Sequence, residues 1–129
     1  MKKNNNGFSL VELIIVIAIM AVLVGVLAPQ FIKYVEQSRR SRDIQTAQEI
    51  REAVLADIAD GSLTGSNTVT TFTTLSTVSE EPQISGHASG VTGFSASYNA
   101  TTGTCTVSTT GTVYVLTTES GASSYKAAP

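Results

Sequence analysis

The stretch that decides the fold is GFSLVELIIVIAIMAVLVGVLAPQ, residues 7–30, in which almost every side chain is apolar. Between Phe8 and Ala28 the polar side chains are those of Ser9 and Glu12. As an α-helix rising about 1.5 Å per residue, this run spans about 31 Å, which matches a hydrocarbon core of about 30 Å. It needs no polar face because it is apolar all round. The sequence therefore predicts a transmembrane helix over residues 8–29.

A cleaved secretory signal peptide is the alternative interpretation, since a basic start, an apolar run and a small residue at Ala28 fit that pattern. Three features count against it. Glu12 lies inside the apolar run, and Pro29 directly follows the cleavage point, where proline generally blocks processing. The helical pattern also continues past Pro29. We therefore favour a membrane helix that stays in the protein.

Residues 30–60 have the period of an amphipathic helix. Apolar residues recur there at intervals of three and four and occupy an arc of about 140°, which is one buried face. Asp43 and Arg51 share that arc, and the Arg51 stem is expected to cover the core with its charge in water. Pro29 should kink the helix without ending it, and Gly61 should cap its C-terminus. The predicted core residues of this helix are Ile44, Ala47, Ile50, Val54, Leu55 and Ile58.

The residues after Gly61 are rich in Thr, Ser and Gly, and from residue 90 onward they alternate with a period of two. Three β runs are predicted, at Gly90–Tyr98, Thr104–Thr109 and Val113–Leu116. Short connections between them favour an antiparallel sheet of about three or four strands, covered by the amphipathic helix. Residues 61–89 are interpreted as a connecting region with a short helical turn near Thr74–Ser79. The predicted fold class is therefore α+β, and the inward side chains are Phe94, Ala96, Tyr98, Cys105 and Val107.

No residue constellation points to catalysis, a metal or another cofactor. The single cysteine, Cys105, cannot form an intramolecular disulfide and is expected to be a small core residue. His87 stands alone in a Ser/Gly loop, and no His, Cys, Asp or Glu cluster has the spacing of metal ligands. A net charge of −2 gives no indication of a nucleic-acid partner.

From Lys2 to about Glu36 the sequence resembles the class III signal of type IV pilins and pseudopilins. The short basic leader, Gly7, Phe8, Glu12, the apolar run and Pro29 match that signal in order and spacing. After Glu36 the resemblance is architectural, with residues 90–129 as the sheet of a pilin-like head domain. It implies that a prepilin peptidase removes residues 1–7 by cutting between Gly7 and Phe8, and then methylates the new amino group of Phe8.

The resemblance also implies that Glu12 acts in assembly and that the apolar helices form the core of a filament. A carboxylate well inside a bilayer costs on the order of 2.5–3.5 kcal/mol, so such a residue usually has a partner. Glu12 is only about 6 Å from the helix start, which allows it to lie at the headgroups before assembly. In a filament, the cleaved Phe8 amino group is the matching cation. Gly25 and Pro29 are expected either to loosen the helix on assembly or to form a static kink.

The charges around the apolar run oppose the orientation that processing requires. Lys33, Arg39, Arg40 and Arg42 follow the run, whereas Lys2 and Lys3 precede it, so the positive-inside rule favours the opposite topology. We give priority to the processing signal, which places the N-terminus in the cytoplasm. Part of the basic cluster is interpreted as a solvated face with local pairs, namely Glu36 with Arg40 and Asp43 with Arg39. Contact with lipid headgroups or a neighbouring subunit is the alternative.

Two functions share these features. The first is a structural subunit, a pilin of a surface filament serving adhesion, motility or aggregation. The alternative is a pseudopilin of a type II secretion or DNA-uptake machine. Secretion pseudopilins typically hold calcium with acidic head residues, and the head here offers only Glu80, Glu81 and Glu119, which favours the pilin. The expected partners are further subunits, the prepilin peptidase, the cytoplasmic membrane and the assembly machinery, with an extracellular filament as the final location. An anchored enzyme has no supporting residues.

Overall fold

The computed structural model describes residues 7–129 of the chain, so the expected leader, apart from Gly7, lies outside the described residues. Two compact units are formed, divided between Val35 and Glu36. One long helix, α1, runs from the first unit into the second. The elements in chain order are α1 Leu10–Asp60, β1 Ser66–Val69, a 3₁₀ turn Phe72–Thr74, β2 Val91–Asn99, β3 Thr104–Gly111 and α2 Glu119–Ala127.

The described part of the first unit consists of the N-terminal half of α1 and the three residues before it. Every side chain from Phe8 to Tyr34 is exposed. The helix is long and apolar enough to cross a membrane, which is compatible with membrane anchoring. Pro29 lies inside α1, which continues to Asp60, so the expectation that this proline does not end the helix is confirmed.

The second unit, which we call the head, packs the rest of α1 on a three-stranded sheet. Ala47, Ile50 and Val54 are buried in one cluster with side chains of the sheet. The predicted helix face is therefore confirmed, and the α+β, pilin-like architecture with it. The remaining members of that face, Ile44, Leu55 and Ile58, are half-buried against the same cluster.

The sheet has the order β1-β2-β3, and both pairs are antiparallel. The inward alternation of β2 and β3 is confirmed, since Phe94, Ala96, Tyr98, Cys105 and Val107 are all buried. The predicted third β run, Val113–Leu116, is wrong as a strand. It forms a single bridge, Ser108 with Val115, because the Thr109 hydroxyl accepts the Tyr114 N–H and donates to the Thr112 carbonyl, which closes a tight loop after β3.

The third strand is instead β1, which lies inside the region predicted to be a connection. Its sequence, SNTV, has one apolar residue and no apolar alternation. It pairs with β2 from Ser66 opposite Asn99 to Val69 opposite Ala96, so its position depends on the strand beside it. The short helical turn occurs at Phe72–Thr74 and overlaps the expected range, Thr74–Ser79, only at Thr74. Gly61 has φ +85°, which fits its predicted role as the cap of α1.

Helix α2 was not predicted. Its sequence, ESGASSYKA, contains glycine and several serines, which are modest or poor helix formers. Thr118 caps its N-terminus by accepting the Gly121 N–H, and Tyr125 anchors it in the core with 0% of its surface exposed. Tertiary contacts therefore stabilise this helix more than its own propensity does.

Candidate functional site

The processing segment is the short stretch before α1. Gly7, Phe8 and Ser9 are not helical, and the Phe8 side chain is 84% exposed. A Cβ added at Gly7 would meet no atom within 4 Å. The peptide bond between Gly7 and Phe8 is therefore accessible, and the fold itself does not require glycine at position 7.

Ser9 and Glu12 form a reciprocal cap at the start of α1. The Ser9 backbone N–H donates to Glu12 Oε2 over 3.1 Å, and the Glu12 N–H donates to Ser9 Oγ over 3.3 Å. This arrangement is a capping box, which satisfies two N–H groups that the first turn leaves free. The sequence S-L-V-E carries its signature, so Glu12 has a capping role besides the assembly role that the resemblance implies. The cap fixes the helix start and holds the Glu12 carboxylate at the backbone N–H of Ser9, the residue after Phe8.

Gly25 and Pro29 lie within the exposed part of α1. A Cβ at Gly25 would meet nothing within 4 Å, so packing within one chain does not require glycine there. Pro29 has no N–H to donate to the Gly25 carbonyl, which leaves one gap in the helical hydrogen-bond ladder. The two residues thus mark a weak point of a helix that is continuous in the described chain.

Comparison with known proteins bears directly on this segment. Residues 2–28 match the model of the prokaryotic N-terminal methylation motif. This is the class III signal peptide of type IV pilins and pseudopilins. Gly7, Phe8, Glu12 and Gly25 lie inside the matched segment, and Pro29 directly follows it. No curated protein and no solved structure matched the chain.

The pilin-type signal supports a type IV pilin-like or pseudopilin precursor and suggests a structural protein. It implies processing by a prepilin peptidase and assembly into a filament. Within residues 7–129, no group of three or more His, Cys, Asp or Glu side chains could hold a metal ion. The free Cys105 is buried as expected, and burial raises the pKa of its thiol, partly offset by the charge of Arg51.

A second site joins the beginning of the head to its later segments through Glu36, Arg40 and His87. Arg40 Nε donates to Glu36 Oε1 over 2.8 Å, which confirms the predicted local pair. The other carboxylate oxygen lies 3.1 Å from His87 Nδ1, and the His87 backbone N–H also donates to Glu36. Burial alone would raise the pKa of Glu36, but the hydrogen bonds from His87 and Arg40 together lower it to about 2.

Arg40 also binds the end of α2. Its Nη1 donates to the carbonyls of Tyr125 at 3.0 Å and Lys126 at 3.2 Å, and also to that of Ala128. The last carbonyls of a helix lack i+4 donors, so a cation there is favourable. The Tyr125 carbonyl also accepts the Ala128 N–H over 3.2 Å. The Arg40 side chain is only 7% exposed. Arg40 is therefore part of the head core. The expectation that it lies on a solvated helix face is wrong.

Asp43 forms the neighbouring contact. Its carboxylate accepts the backbone N–H groups of Ser85 and Gly86, both over 2.7 Å, and the Tyr125 hydroxyl over 2.6 Å. The predicted pair with Arg39 is wrong, because Asp43 is buried against the loop and Arg39 lies beside His87. A Cβ at Gly86 would be 2.7 Å from the Tyr125 hydroxyl, so only glycine fits. Burial and Asp43 raise the pKa of Tyr125.

We call Glu36, Arg40, Asp43, His87 and Tyr125 the head clamp. The clamp joins α1, the connecting loop and α2. It was not found from the sequence because its members contact one another over long separations in the chain, for example 85 positions from Arg40 to the Tyr125 carbonyl. His87, interpreted as an ordinary loop residue, is one of its members. The signal that could have indicated the clamp was the placement of Asp43 on the apolar arc of α1.

Proposed function

We propose that this chain is the precursor of a pilin, the structural subunit of a type IV pilus-like filament. The observation that carries the proposal is the methylation motif at residues 2–28 on a helix whose side chains are exposed from Phe8 to Tyr34. An apolar surface of this size, left exposed by the residues that the structure describes, is suited to a membrane and later to other helices. The head then remains outside the helical core of the filament.

In the proposed pathway, the chain is inserted in the cytoplasmic membrane with its leader in the cytoplasm. Prepilin peptidase cuts between Gly7 and Phe8 and methylates the Phe8 amino group. The exposed, non-helical backbone at this bond supports such a role. The burial of Arg40 in the head also weakens the charge argument against this orientation, because that cation is neutralised by Glu36 and by carbonyls.

Assembly follows from the same chemistry. The cleaved chain has a cation at Phe8, and Glu12 offers a carboxylate that is 3.1 Å from the Ser9 nitrogen in the capping box. An unpaired charge is costly where helices pack without water. We therefore assign Glu12 the role of binding the Phe8 amino group of another subunit, and Gly25 and Pro29 that of letting the helix adjust as subunits pack.

The proposal is tested on the protein from filaments and on the cells that make them. Mass spectrometry of the mature subunit should show Phe8 as the first residue, carrying one added methyl group. Electron microscopy should show surface fibres that disappear when the gene is deleted and return when it is restored. Purified filaments whose subunit still begins at Met1 would refute the assignment. Loss of secretion or of DNA uptake without loss of fibres would favour the pseudopilin alternative.

The role of Glu12 is tested with two matched variants. Glu12→Gln keeps a side-chain acceptor for the Ser9 N–H, since glutamine also serves at this position of a capping box, but it removes the charge. Glu12→Ala removes both. Both variants should be cleaved, and both should assemble poorly if charge pairing is what matters. Normal fibres from Glu12→Gln as the only subunit would show that Glu12 serves as a cap and not as an ionic partner.

A further inference from the structure

Several exposed charged residues that lie beside the buried face of α1 in the head are segregated along the helix. At 100° per residue, Arg42, Glu49 and Asp60 lie within about 20° of one another around the axis, and Glu52 lies about 60–80° from them. All four side chains are exposed. The cation therefore comes first in this set, and the carboxylates follow it towards the C-terminus of the helix.

These charges have no ionic partner in the described part of the chain. Among residues 7–129, the ion pairs are those of Glu36 with Arg40 and with His87. Arg42 and Glu49 also line an open groove of about 530 Å³ between α1 and the segment from Thr77 to Ser85. Glu80, which is exposed, lies on the other wall. The groove and the adjoining helix face thus present several exposed carboxylates, on the C-terminal side of Arg42 along α1 and on the opposite wall of the groove.

The proposed filament limits how two copies can meet. Subunits inserted in one membrane with one orientation have parallel α1 helices. Two parallel copies in register place Arg42 against Arg42 and Glu49 against Glu49, and like charges repel. A shift of seven residues, about 10 Å along the helix, places Arg42 of one copy beside Glu49 of the next. Glu52 and Glu80 then add to the negative potential around the guanidinium.

We propose that the groove between α1 and Thr77–Ser85 receives Arg42 from a second copy of this chain, and that this contact sets the axial shift between neighbouring subunits. The inference rests on the proposed function as a filament subunit. In the pairing of Phe8 with Glu12, the cation also precedes its carboxylate along the chain. Both pairs therefore favour a shift in the same direction, one in the apolar half of α1 and one in the head.

The test reverses the charges separately and together in the full-length subunit. Arg42→Glu should reduce the yield of filaments about tenfold, because attraction at every subunit contact becomes repulsion. The pair Glu49→Arg and Glu52→Arg should have the same effect. All three changes in one chain restore opposite charges across the contact and should restore filaments. Lys126→Glu, at an exposed position on α2, is the control and should assemble normally.

A cysteine experiment measures the shift itself. Arg42→Cys and Glu49→Cys in one chain are about 10 Å apart along the helix, beyond the roughly 7 Å Cα separation that a disulfide spans. Mild oxidation of filaments should therefore link different copies into a ladder of oligomers. Arg42→Cys alone should give monomers. Dimers from that single variant would indicate packing in register and would overturn the proposal.

The two proposals fail in different ways. If the unmodified protein makes no filaments, the proposed function fails. If the unmodified protein makes filaments and Arg42→Glu makes as many, the proposed contact fails while the function stands. The contact also fails if the triple variant assembles no better than Arg42→Glu. Thermal unfolding of each variant should match that of the unmodified protein, since these side chains have no partner in their own head.

Discussion

The two halves of α1 have continuous backbone geometry but opposite relations to the rest of the chain. From Leu10 to Tyr34 every side chain is exposed, although most are apolar. From Arg40 to Asp57 the helix buries one face, and that face includes charged residues as well as apolar ones. In the first half, the apolar side chains have no partner among residues 7–129. In the second half, even Arg40 and Asp43 have one.

This difference shows where each half acquires its stability. The head half is stabilised on folding, because Ile50 and Val54 are buried against the sheet. The apolar half is uniform around its axis, so its stabilisation must come from lipid or from other copies. Substitutions in the two halves should therefore affect different measurements.

The largest effect is expected at the cleavage point. Gly7→Leu should leave the precursor in the membrane, uncleaved and unassembled, because the peptidase needs close approach to the backbone there. Gly25→Ala is the matched control, since a Cβ at either glycine meets no atom within 4 Å. Immunoblotting for precursor and mature forms measures the outcome. Normal cleavage of Gly7→Leu would show that the peptidase does not read this position.

The next effect concerns the buried face of the head half. Ile50 is 2% exposed, and Ile50→Asp places an unpaired charge in the core, which should cost about 3–5 kcal/mol of unfolding free energy. Ile17→Asp makes the same change in the apolar half, where the side chain is 62% exposed. It should leave the unfolding of the head unchanged and impair membrane insertion instead.

Denaturant unfolding in detergent, followed by the near-ultraviolet circular dichroism of the tyrosines, measures both variants. Equal losses of head stability would contradict the division of α1 into two independent environments. A head fragment for such work should begin at Val35. A start near Arg39 would remove Glu36 and its contacts with Arg40 and His87.

The sequence predicted the elements whose information is local. Three features lie in continuous segments: the methylation signal, the apolar run and the alternation of β2. The hydrophobic pattern alone identifies the apolar run and β2. Strand β1 and helix α2 were not predicted, because their sequences carry no such hydrophobic pattern. β1 is defined by the edge of β2, and α2 by Arg40 at its C-terminus and Tyr125 in the core. The head clamp was not predicted either, because its contacts join residues that are distant in the sequence.

The clamp gives a pH dependence whose direction follows from Glu36. Its pKa is about 2 in the folded head, well below its ordinary value of 4.5, so the folded state favours the charged carboxylate. The stabilisation from Glu36 is complete above about pH 4.5 and is lost as the pH falls from about 4.5 towards 2. We expect a loss of about 1–2 kcal/mol, because Glu36 is partly solvated.

Unfolding free energies measured between pH 2 and pH 6 test this expectation. Glu36→Gln is the control, since it keeps an acceptor for the His87 N–H but cannot titrate. The difference between the two proteins should shrink as the pH falls. Parallel profiles for the unmodified protein and Glu36→Gln would show that Glu36 does not contribute to acid sensitivity.

The smallest effect is expected within the apolar half, at Gly25 and Pro29. Relative to alanine, glycine costs about 1 kcal/mol and proline about 3 kcal/mol in a helix interior, so local helix stability is lowest there. In lipid, unsatisfied backbone groups are expensive, which keeps the subunit helical before assembly. In a filament that constraint is removed, and helices must adjust to one another. We expect the helix to loosen between Gly25 and Pro29 on polymerisation.

The double variant Gly25→Ala, Pro29→Ala tests the loosening without touching the cleavage point or the head. It should be processed normally, and its head should unfold as before, because neither residue belongs to the head. Its filaments should be stiffer, with a longer persistence length in electron micrographs, or should form more slowly. A near-atomic map of the unmodified filament gives the direct comparison. Continuous hydrogen bonding up to the proline in that map, together with unchanged stiffness of the variant, would mean that Pro29 is a static kink that aims the head.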